Sequence, residues 1–122
     1  MTDLNGSDPR TLIISNNMIE ADDLIEMLTG QDLGPVAHTR DVQGASAVLK
    51  ESASQLRLLL YGLSLHLHEI NDFLATVDRS AFKLIVIDGP ADFAGQEGAA
   101  VLHRPYSTGD VLAALAQVGL SP

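Results

Sequence analysis

The sequence Leu56-Arg57-Leu58-Leu59-Leu60-Tyr61-Gly62-Leu63-Ser64 lies near the middle of the chain, and its short apolar run stops at a glycine. A run of this kind predicts a strand covered on both faces, as in the centre of a parallel sheet. Ligands of open α/β sheets bind just outside the carboxyl ends of the strands. Here that position holds Tyr61 and Gly62, and neither is a strong nucleophile or metal ligand at neutral pH.

The composition is that of one acidic domain. The 122 residues are enough to bury a core, and we expect a single domain over residues 11–122 behind a flexible leader, residues 1–10. The 7 Lys+Arg against 16 Asp+Glu give a formal net charge of −9, which disfavours nucleic acids and anionic membranes and favours a basic partner. The absence of cysteine excludes disulfides, thiolate zinc sites and cysteine nucleophiles. Because there is no membrane-length apolar run and no signal-peptide pattern, we expect a cytoplasmic protein.

Short apolar runs alternate with helical patterns along the chain. The runs predict strands at residues 11–14, 35–40, 56–64, 82–87 and 100–103, and the polar content of the second places it near a sheet edge. Amphipathic patterns predict helices over residues 18–30, 42–54, 65–79 and 108–118, and residues 91–99 leave room for two helical turns at most. Five strands alternating with five helices predict a three-layer, doubly wound α/β fold of the flavodoxin-like kind, with strand order 2-1-3-4-5.

The helical patterns also predict the faces and the first residues of the helices. In the first helix the predicted buried stripe begins at Met18 or Ile19, and the acidic side chains, including Glu20, face water. The buried stripe predicted for the last helix is Val111, Leu112, Leu115 and Val118. The predicted N-caps are Asn16 or Asn17, then Asp41, and finally Ser107 in a capping box with Asp110.

The last predicted strand ends in Arg104-Pro105-Tyr106, just before the capped helix. This motif, with five strand–helix units in 122 residues, resembles the response-regulator receiver domains of two-component signalling, whose last strand ends in Lys-Pro-aromatic. The resemblance covers residues 11–120 and implies the doubly wound fold and protein partners in signalling.

The residues at the family's functional positions depart from its pattern. After the first strand, where the resemblance implies acidic Mg²⁺ ligands, the chain has Ser15, Asn16 and Asn17. The implied phosphoacceptor position falls on Gly62, or on Tyr61 if the register slips by one residue. The implied Ser or Thr after the fourth strand falls on Asp88, and the switch aromatic of the last strand falls on Val101.

These departures imply a degenerate receiver. Phosphoryl transfer in an active receiver needs a carboxylate that takes the phosphoryl group, Mg²⁺ to neutralise the charge and a lysine to hold the product. Glycine cannot be phosphorylated, and neutral Ser15 and Asn16 are poor Mg²⁺ ligands, so we expect no aspartyl-phosphate cycle, no metal and no cofactor. If the ends of the fourth and fifth strands are neighbours, the Arg104 guanidinium can bind the Asp88 carboxylate and hold the surface beside it in one conformation. The alternatives are a surface ion pair worth roughly 0 to 1 kcal/mol, or no pair.

Three classes of function follow from this reading. The first is a signalling module without enzyme activity, which binds a protein partner or a second copy through the last strand and its flanking helices. The second is a small-ligand or nucleotide-binding domain that uses Ser15, Asn16, Tyr61, Asp88 and Gly89 at the strand ends. The third is an enzyme with Asp88 as acid or base beside His103, for which no third group is evident. His66 and His68 are two residues apart, a spacing that does not suit paired metal ligands on a helix.

Overall fold

The computed structural model describes residues 9–52, 56–62, 67–77, 81–89 and 96–120. The strands are β1 (Thr11–Ile14), β2 (Val36–Thr39), β3 (Leu58–Tyr61), β4 (Lys83–Ile87) and β5 (Ala99–Leu102). The helices in these ranges are α1 (Met18–Gly30), α2 (Val42–Ser52), α3 (Leu67–Ala75) and α4 (Thr108–Gln117). All strand pairs are parallel and the order is β2-β1-β3-β4-β5, which confirms the predicted doubly wound topology.

The middle strand β3 separates two apolar layers. Its residues alternate between them, because successive side chains of a strand point to opposite faces. Leu59 and Tyr61 pack with the buried side of α2 and α3, whereas Leu58 and Leu60 pack with the buried side of α1 and α4. All four side chains are fully buried, so the prediction of a strand covered on both faces is confirmed.

The sheet edge is also where the sequence places it. Among the strands that the structure describes, β2 pairs with β1 alone, and its four residues are all half-buried, as expected for an edge strand. The predicted run over residues 35–40 is longer than the strand, which covers Val36–Thr39.

Three of the predicted helix N-caps are present. Asn17 Oδ1 accepts hydrogen bonds from the backbone N–H groups of Ile19 and Glu20 at 3.0 and 3.1 Å. Asp41 Oδ1 accepts one from Gly44 N–H at 2.8 Å. At α4 the Ser107 and Asp110 side chains each accept from the other's backbone N–H, at 3.1 and 2.9 Å, which confirms the capping box. Such caps are stabilising because the first four backbone N–H groups of a helix have no hydrogen-bond partner within the helix.

Two predictions of buried apolar residues are wrong. Met18 and Ile19 are 52% and 76% exposed, since the stripe that faces the sheet is Ala21, Leu24 and Leu28. Ile19 lies off that stripe, and Met18 lies in the first turn. Leu112 of α4 is 38% exposed for the same angular reason, because Ala114 and not Leu112 shares the stripe of Val111 and Leu115.

The remaining expectations lie in part outside the described residues. Most of the leader expected over residues 1–10 and most of the short helix considered over residues 91–99 fall there, and residues 96–98 form a turn. No helix within the described ranges is long and apolar enough to cross a bilayer.

Candidate functional site

The strand register gathers the candidate residues at one edge of the sheet. Ile14, Tyr61 and Val86 are aligned across β1, β3 and β4, so the residues that follow these strands emerge together. Gly62 N–H donates to the carbonyl oxygen of Ile14 at 2.7 Å, and Asp88 N–H donates to that of Leu102 at 2.7 Å. The carboxyl ends of β1, β3, β4 and β5 therefore form a single site, as the parallel topology requires.

The Arg104 guanidinium occupies the middle of this site. Its Nε and Nη2 donate to the two carboxylate oxygens of Glu20, each at 2.7 Å, in a bidentate pair. Its Nη1 donates to Asp88 Oδ2 at 3.0 Å, and Nη2 also donates to the Gly62 carbonyl oxygen at 2.9 Å. Because it touches α1 and the residues after β3 and β4, Arg104 ties three parts of the fold to the end of β5. We call Arg104 and the groups bound to it, together with those that bind Glu20, the Arg104 network.

Glu20 is the residue that the sequence analysis missed. It was predicted to face water, and this is wrong, because its side chain is only 9% exposed. Besides Arg104, it accepts hydrogen bonds from the Tyr106 and Ser15 hydroxyls, both at 3.0 Å. One local signal was available, since Glu20 follows the N-cap Asn17 by three residues, the spacing of a capping box. Its carboxylate bonds Arg104 instead of the cap.

The hydrogen bonds between Glu20 and Arg104 favour the charged form of each side chain. Burial raises the pKa of Glu20, but the hydrogen bonds from Arg104, Tyr106 and Ser15 outweigh it, and the net pKa lies below the ordinary value of 4.5. The hydrogen bond to Glu20 raises the pKa of Arg104 above its usual range. Burial, followed by the hydrogen bond to Glu20, raises the pKa of the Tyr106 phenol, so its hydroxyl stays a donor at neutral pH.

Asp88 takes part in a more exposed contact. The structure places Asp88 beside Arg104, as the predicted binding of Asp88 by Arg104 requires. Besides the side-chain hydrogen bond, Asp88 Oδ1 accepts a hydrogen bond from the Arg104 backbone N–H at 2.9 Å. The backbone hydrogen bond is the main cause that lowers the pKa of Asp88. The residue has φ of 57°, a left-handed conformation that aspartate tolerates better than most residues. His103 Nδ1 lies 3.9 Å from Asp88 Oδ1 on the solvent side.

Gly62 leaves the space that the guanidinium fills. A Cβ at this position would lie 3.2 Å from the Ile14 carbonyl oxygen, 3.3 Å from Ile87 Cδ1 and 3.4 Å from Arg104 Nη2. The contacts with Ile14 and Ile87 are tighter than most Cβ contacts in proteins. A side chain at the end of β3 would therefore need these neighbours to shift, and it would lie directly against the guanidinium of Arg104.

The other candidate residues differ from one another in burial and in the contacts that they make. Tyr61 is fully buried, with its ring centroid 5.8 Å from that of Phe73, so it belongs to the core and does not face an open site. Ser15 is also fully buried, and its hydroxyl serves Glu20. Asn17 caps α1, and Asn16 is exposed at the turn before it. Val101 is half-buried in β5. Burial of Ser15 and Tyr61 thus removes two of the five residues considered for a ligand site.

The donor set does not fit Mg²⁺. The groups that follow β1 are neutral, and the nearby carboxylates, Glu20 and Asp88, are already paired with a guanidinium. Mg²⁺ is usually held by one or two free carboxylates and waters in an octahedron. Within the described ranges no group of three or more His, Cys, Asp or Glu side chains is close enough to hold a metal ion, whereas His66 lies outside these ranges.

No family model and no curated protein matches the chain. Among solved structures it is similar to SdrG from Sphingomonas melonis Fr1, with 20% identity and a TM-score of 0.67 over 92% of this chain and 97% of that one. A response regulator receiver protein from Dyadobacter fermentans DSM 18053 matches with 14% identity and a TM-score of 0.65, over 88% of this chain and 95% of that one. A two-component transcriptional regulator AraC from Clostridium phytofermentans ISDg matches with 16% identity and a TM-score of 0.65, over 90% of each chain. At these identities the likeness concerns the backbone, and it shows that the chain has the fold of response-regulator receiver domains.

Proposed function

We propose that this protein is a receiver-like signalling module that works without phosphorylation and acts by binding a protein partner. The observation that carries the proposal is the position of the Arg104 guanidinium, which fills the space in front of Gly62 at the end of β3. The receiver fold supports a signalling role, and the pocket chemistry supports independence from phosphate.

The chemistry of the pocket argues against phosphoryl transfer at this edge of the sheet. Transfer to a receiver needs a carboxylate oxygen that can attack the phosphorus and a divalent cation that neutralises the charge. Gly62 has no side chain, and the carboxylate oxygens of Glu20 and Asp88 are engaged by Arg104. The positive charge of Arg104 is offset by two carboxylates, so an incoming phosphoryl group would meet little net attraction.

The same contacts support a module that is held in one state. Hydrogen bonds of 2.7 to 3.0 Å join Arg104 to α1 and to the residues after β3 and β4. In a switching receiver such contacts would form or break with the phosphoryl group; here the chain itself supplies every charge. The conformation of the surface next to Arg104 therefore depends on the sequence and not on a modification.

The partner surface that we propose is β5 with α4. A shallow groove of about 360 Å³ lies between them, bordered by Val101 and Leu102 on the strand and by Ala113, Ala114 and Gln117 on the helix. The small alanine side chains allow a second backbone to approach closely, and Leu112 adds an exposed apolar side chain on the same helix. A protein partner or a second copy of this chain fits this surface better than a nucleic acid or an anionic membrane, because the net charge is −9.

The test is phosphorylation of the full chain with acetyl phosphate and Mg²⁺, read by intact mass. An active receiver domain treated in parallel controls for the reagents. We expect no phosphate adduct, and we expect the amide spectrum to stay unchanged on addition of beryllofluoride, a phosphoryl mimic. A phosphate adduct, or saturable shifts at Ser15, Gly62, Asp88 and Arg104, would overturn independence from phosphate.

A nucleotide panel separates the proposal from a ligand-binding domain. Saturable micromolar binding of one nucleotide, with shifts at Asp88 and Gly89, would favour the ligand-binding function instead. Partner binding has its own readout, which is sedimentation of the chain over a concentration series. Self-association that is lost in Ala113→Glu would support a second copy on α4, whereas a monomer at all concentrations would restrict the proposal to a different protein partner.

A further inference from the structure

An apolar pocket lies at the end of the sheet opposite to Arg104, where the strands begin. Its volume is about 410 Å³, which is within the usual range for sites that hold small molecules. It is formed by the second half of α2, the residues after α3 and those before β4. Leu49, Val77 and Phe82 give it an apolar lining, and we call it the α2–α3 pocket.

The apolar lining is continuous with the core. Leu49 and Phe82 are buried, and Val77 packs against the apolar layer that contains them and Leu59 of β3. An apolar ligand in the pocket would extend this layer and remove the apolar surface of the pocket from water. The pocket therefore favours a ligand whose body is a hydrocarbon chain or ring.

Two hydrogen-bond donors lie at the rim of the pocket. Lys50 is exposed in the last turn of α2, and Ser46 lies one turn earlier on the same face of the helix. Within the described residues neither side chain forms a hydrogen bond or an ion pair. The Thr76 hydroxyl, by contrast, donates to the Phe73 carbonyl oxygen at 2.7 Å. The ammonium of Lys50 and the hydroxyl of Ser46 suit an anionic group with oxygen acceptors.

Basic residues are concentrated at this end of the sheet. Four of the seven lysines and arginines of the chain lie there, namely Arg10 before β1, Lys50 at the end of α2, Arg57 before β3 and Lys83 at the start of β4. The Arg57 N–H donates to the Arg10 carbonyl oxygen at 2.7 Å, and the Lys83 N–H donates to that of Arg57 at 2.9 Å. The register of β3 and β4 places Arg57 beside Phe82 of the pocket. An anion at the rim would therefore lie near two cations.

Negative groups are present at this end as well. The carbonyl ends of α2 and α3 lie here, and each carries about half a negative charge. Asp32, Glu51 and Glu97 are exposed, and none of them forms an ion pair within the described part of the chain. None of these three carboxylates lines the pocket, whereas Lys50 does. The attraction for an anion is therefore local to the rim.

We propose that the α2–α3 pocket binds a small anionic amphiphile, namely a carboxylate that carries an apolar chain or ring. The apolar part would lie against Leu49, Val77 and Phe82, and the carboxylate would accept hydrogen bonds from Lys50 and Ser46. An amphiphile with a cationic head would be repelled by Lys50. The site goes beyond the proposed signalling function and does not depend on it, since it shares no residue with the Arg104 network or with the surface of β5 and α4.

The probe is octanoate, with octanol and octylammonium as controls that have the same chain and a neutral or a positive head. Titration of the full chain below the micelle concentration, followed by amide NMR, is expected to give saturable shifts at Ser46, Leu49, Val77 and Phe82. Octanoate should bind about two- to fivefold more tightly than octanol, as expected for one exposed charge contact, and octylammonium should bind most weakly. The preference for octanoate should diminish as salt is raised.

Two variants with matched controls test the assignment to the pocket. Ala81→Trp places a large side chain in the pocket and is expected to weaken octanoate and octanol about tenfold or more. Ala47→Trp makes the same change at an exposed position of α2 outside the lining and should leave both affinities unchanged. Lys50→Gln should weaken octanoate by about two- to fivefold and leave octanol unchanged. Arg40→Gln removes an equal charge at the other end of the sheet and should have a smaller effect.

Equal affinities for octanoate, octanol and octylammonium would overturn the proposal, because the head group would then have no influence. Unchanged binding of octanoate in Ala81→Trp, or equal losses in Lys50→Gln and Arg40→Gln, would do the same. Vesicles of anionic lipid distinguish a free carboxylate from a membrane surface. They should give no shifts at the pocket, because the net charge of −9 repels them; shifts with vesicles and none with octanoate would refute a free ligand.

Discussion

Replacing Arg104 with leucine is expected to destabilise the protein by about 3 kcal/mol. The change removes a bidentate pair at 2.7 Å and leaves Glu20, only 9% exposed, with the hydroxyls of Tyr106 and Ser15 as its remaining partners. Loss of charged hydrogen bonds to a largely buried carboxylate accounts for about 2 to 3 kcal/mol. Asp88 adds at most about 1 kcal/mol, because its side chain is 44% exposed and solvent screens the pair.

Urea unfolding at neutral pH measures this loss directly, and thermal unfolding should show a fall in Tm of roughly 10 °C. Arg40→Leu is the matched control, because Arg40 is exposed and makes no side-chain hydrogen bond or ion pair within the described ranges. A double-mutant cycle of Arg104→Leu with Glu20→Gln should give a coupling energy above about 1 kcal/mol. A loss below about 0.5 kcal/mol, equal to that of Arg40→Leu, would refute the reasoning that the Arg104 network stabilises the fold.

The remaining predictions concern single positions. The folded pKa of Glu20 lies below its ordinary value of 4.5, so its ionised form adds stability above pH 4.5. This stability is lost as the pH falls through the folded pKa. Unfolding curves between about pH 5 and 3 should therefore depend less on pH in Glu20→Gln than in the unchanged protein. Ser107→Ala should cost about 1 kcal/mol by breaking the capping box with Asp110, and Ser107→Asp should recover most of it. Gly89→Ala should cost about 2 kcal/mol or more in urea unfolding, because its Cβ would collide with the Val86 side chain, while Gly30→Ala, whose Cβ meets open space, should not.

The Arg104 network satisfies the polar groups at the carboxyl ends of the strands. Several polar groups converge at the carboxyl ends of parallel strands, and each needs a partner where it is buried. A guanidinium with five donors in a fixed plane can satisfy two carboxylates and a carbonyl oxygen at once, which a lysine ammonium cannot do with the same geometry. The arginine at position 104 is therefore matched to Glu20, and Arg104→Lys should retain only part of the stability.

The order of the elements follows from local patterns in the sequence. Apolar runs bounded by glycine and proline place the strands, and helical spacing with polar caps places the helices, because both depend on residues a few positions apart. The parallel topology then follows from the alternation of strand and helix. The same topology brought Gly62, Asp88 and Arg104 to one edge of the sheet, so their proximity was predictable from the end of each strand.

Glu20 shows what only the tertiary structure decided. It was assigned to the water-facing side of α1 because its helical position lies off the apolar stripe, and helical spacing carries no information about partners far along the chain. Arg104 is 84 residues away, and the pair exists because the first turn of α1 and the end of β5 meet at the same edge of the sheet. The exposure of Met18 and Ile19 has the same origin, since the rotation of α1 against the sheet is set by the packing of Ala21, Leu24 and Leu28. Local spacing thus determined which segments fold into helices and strands, and the packing of those segments determined which charges meet.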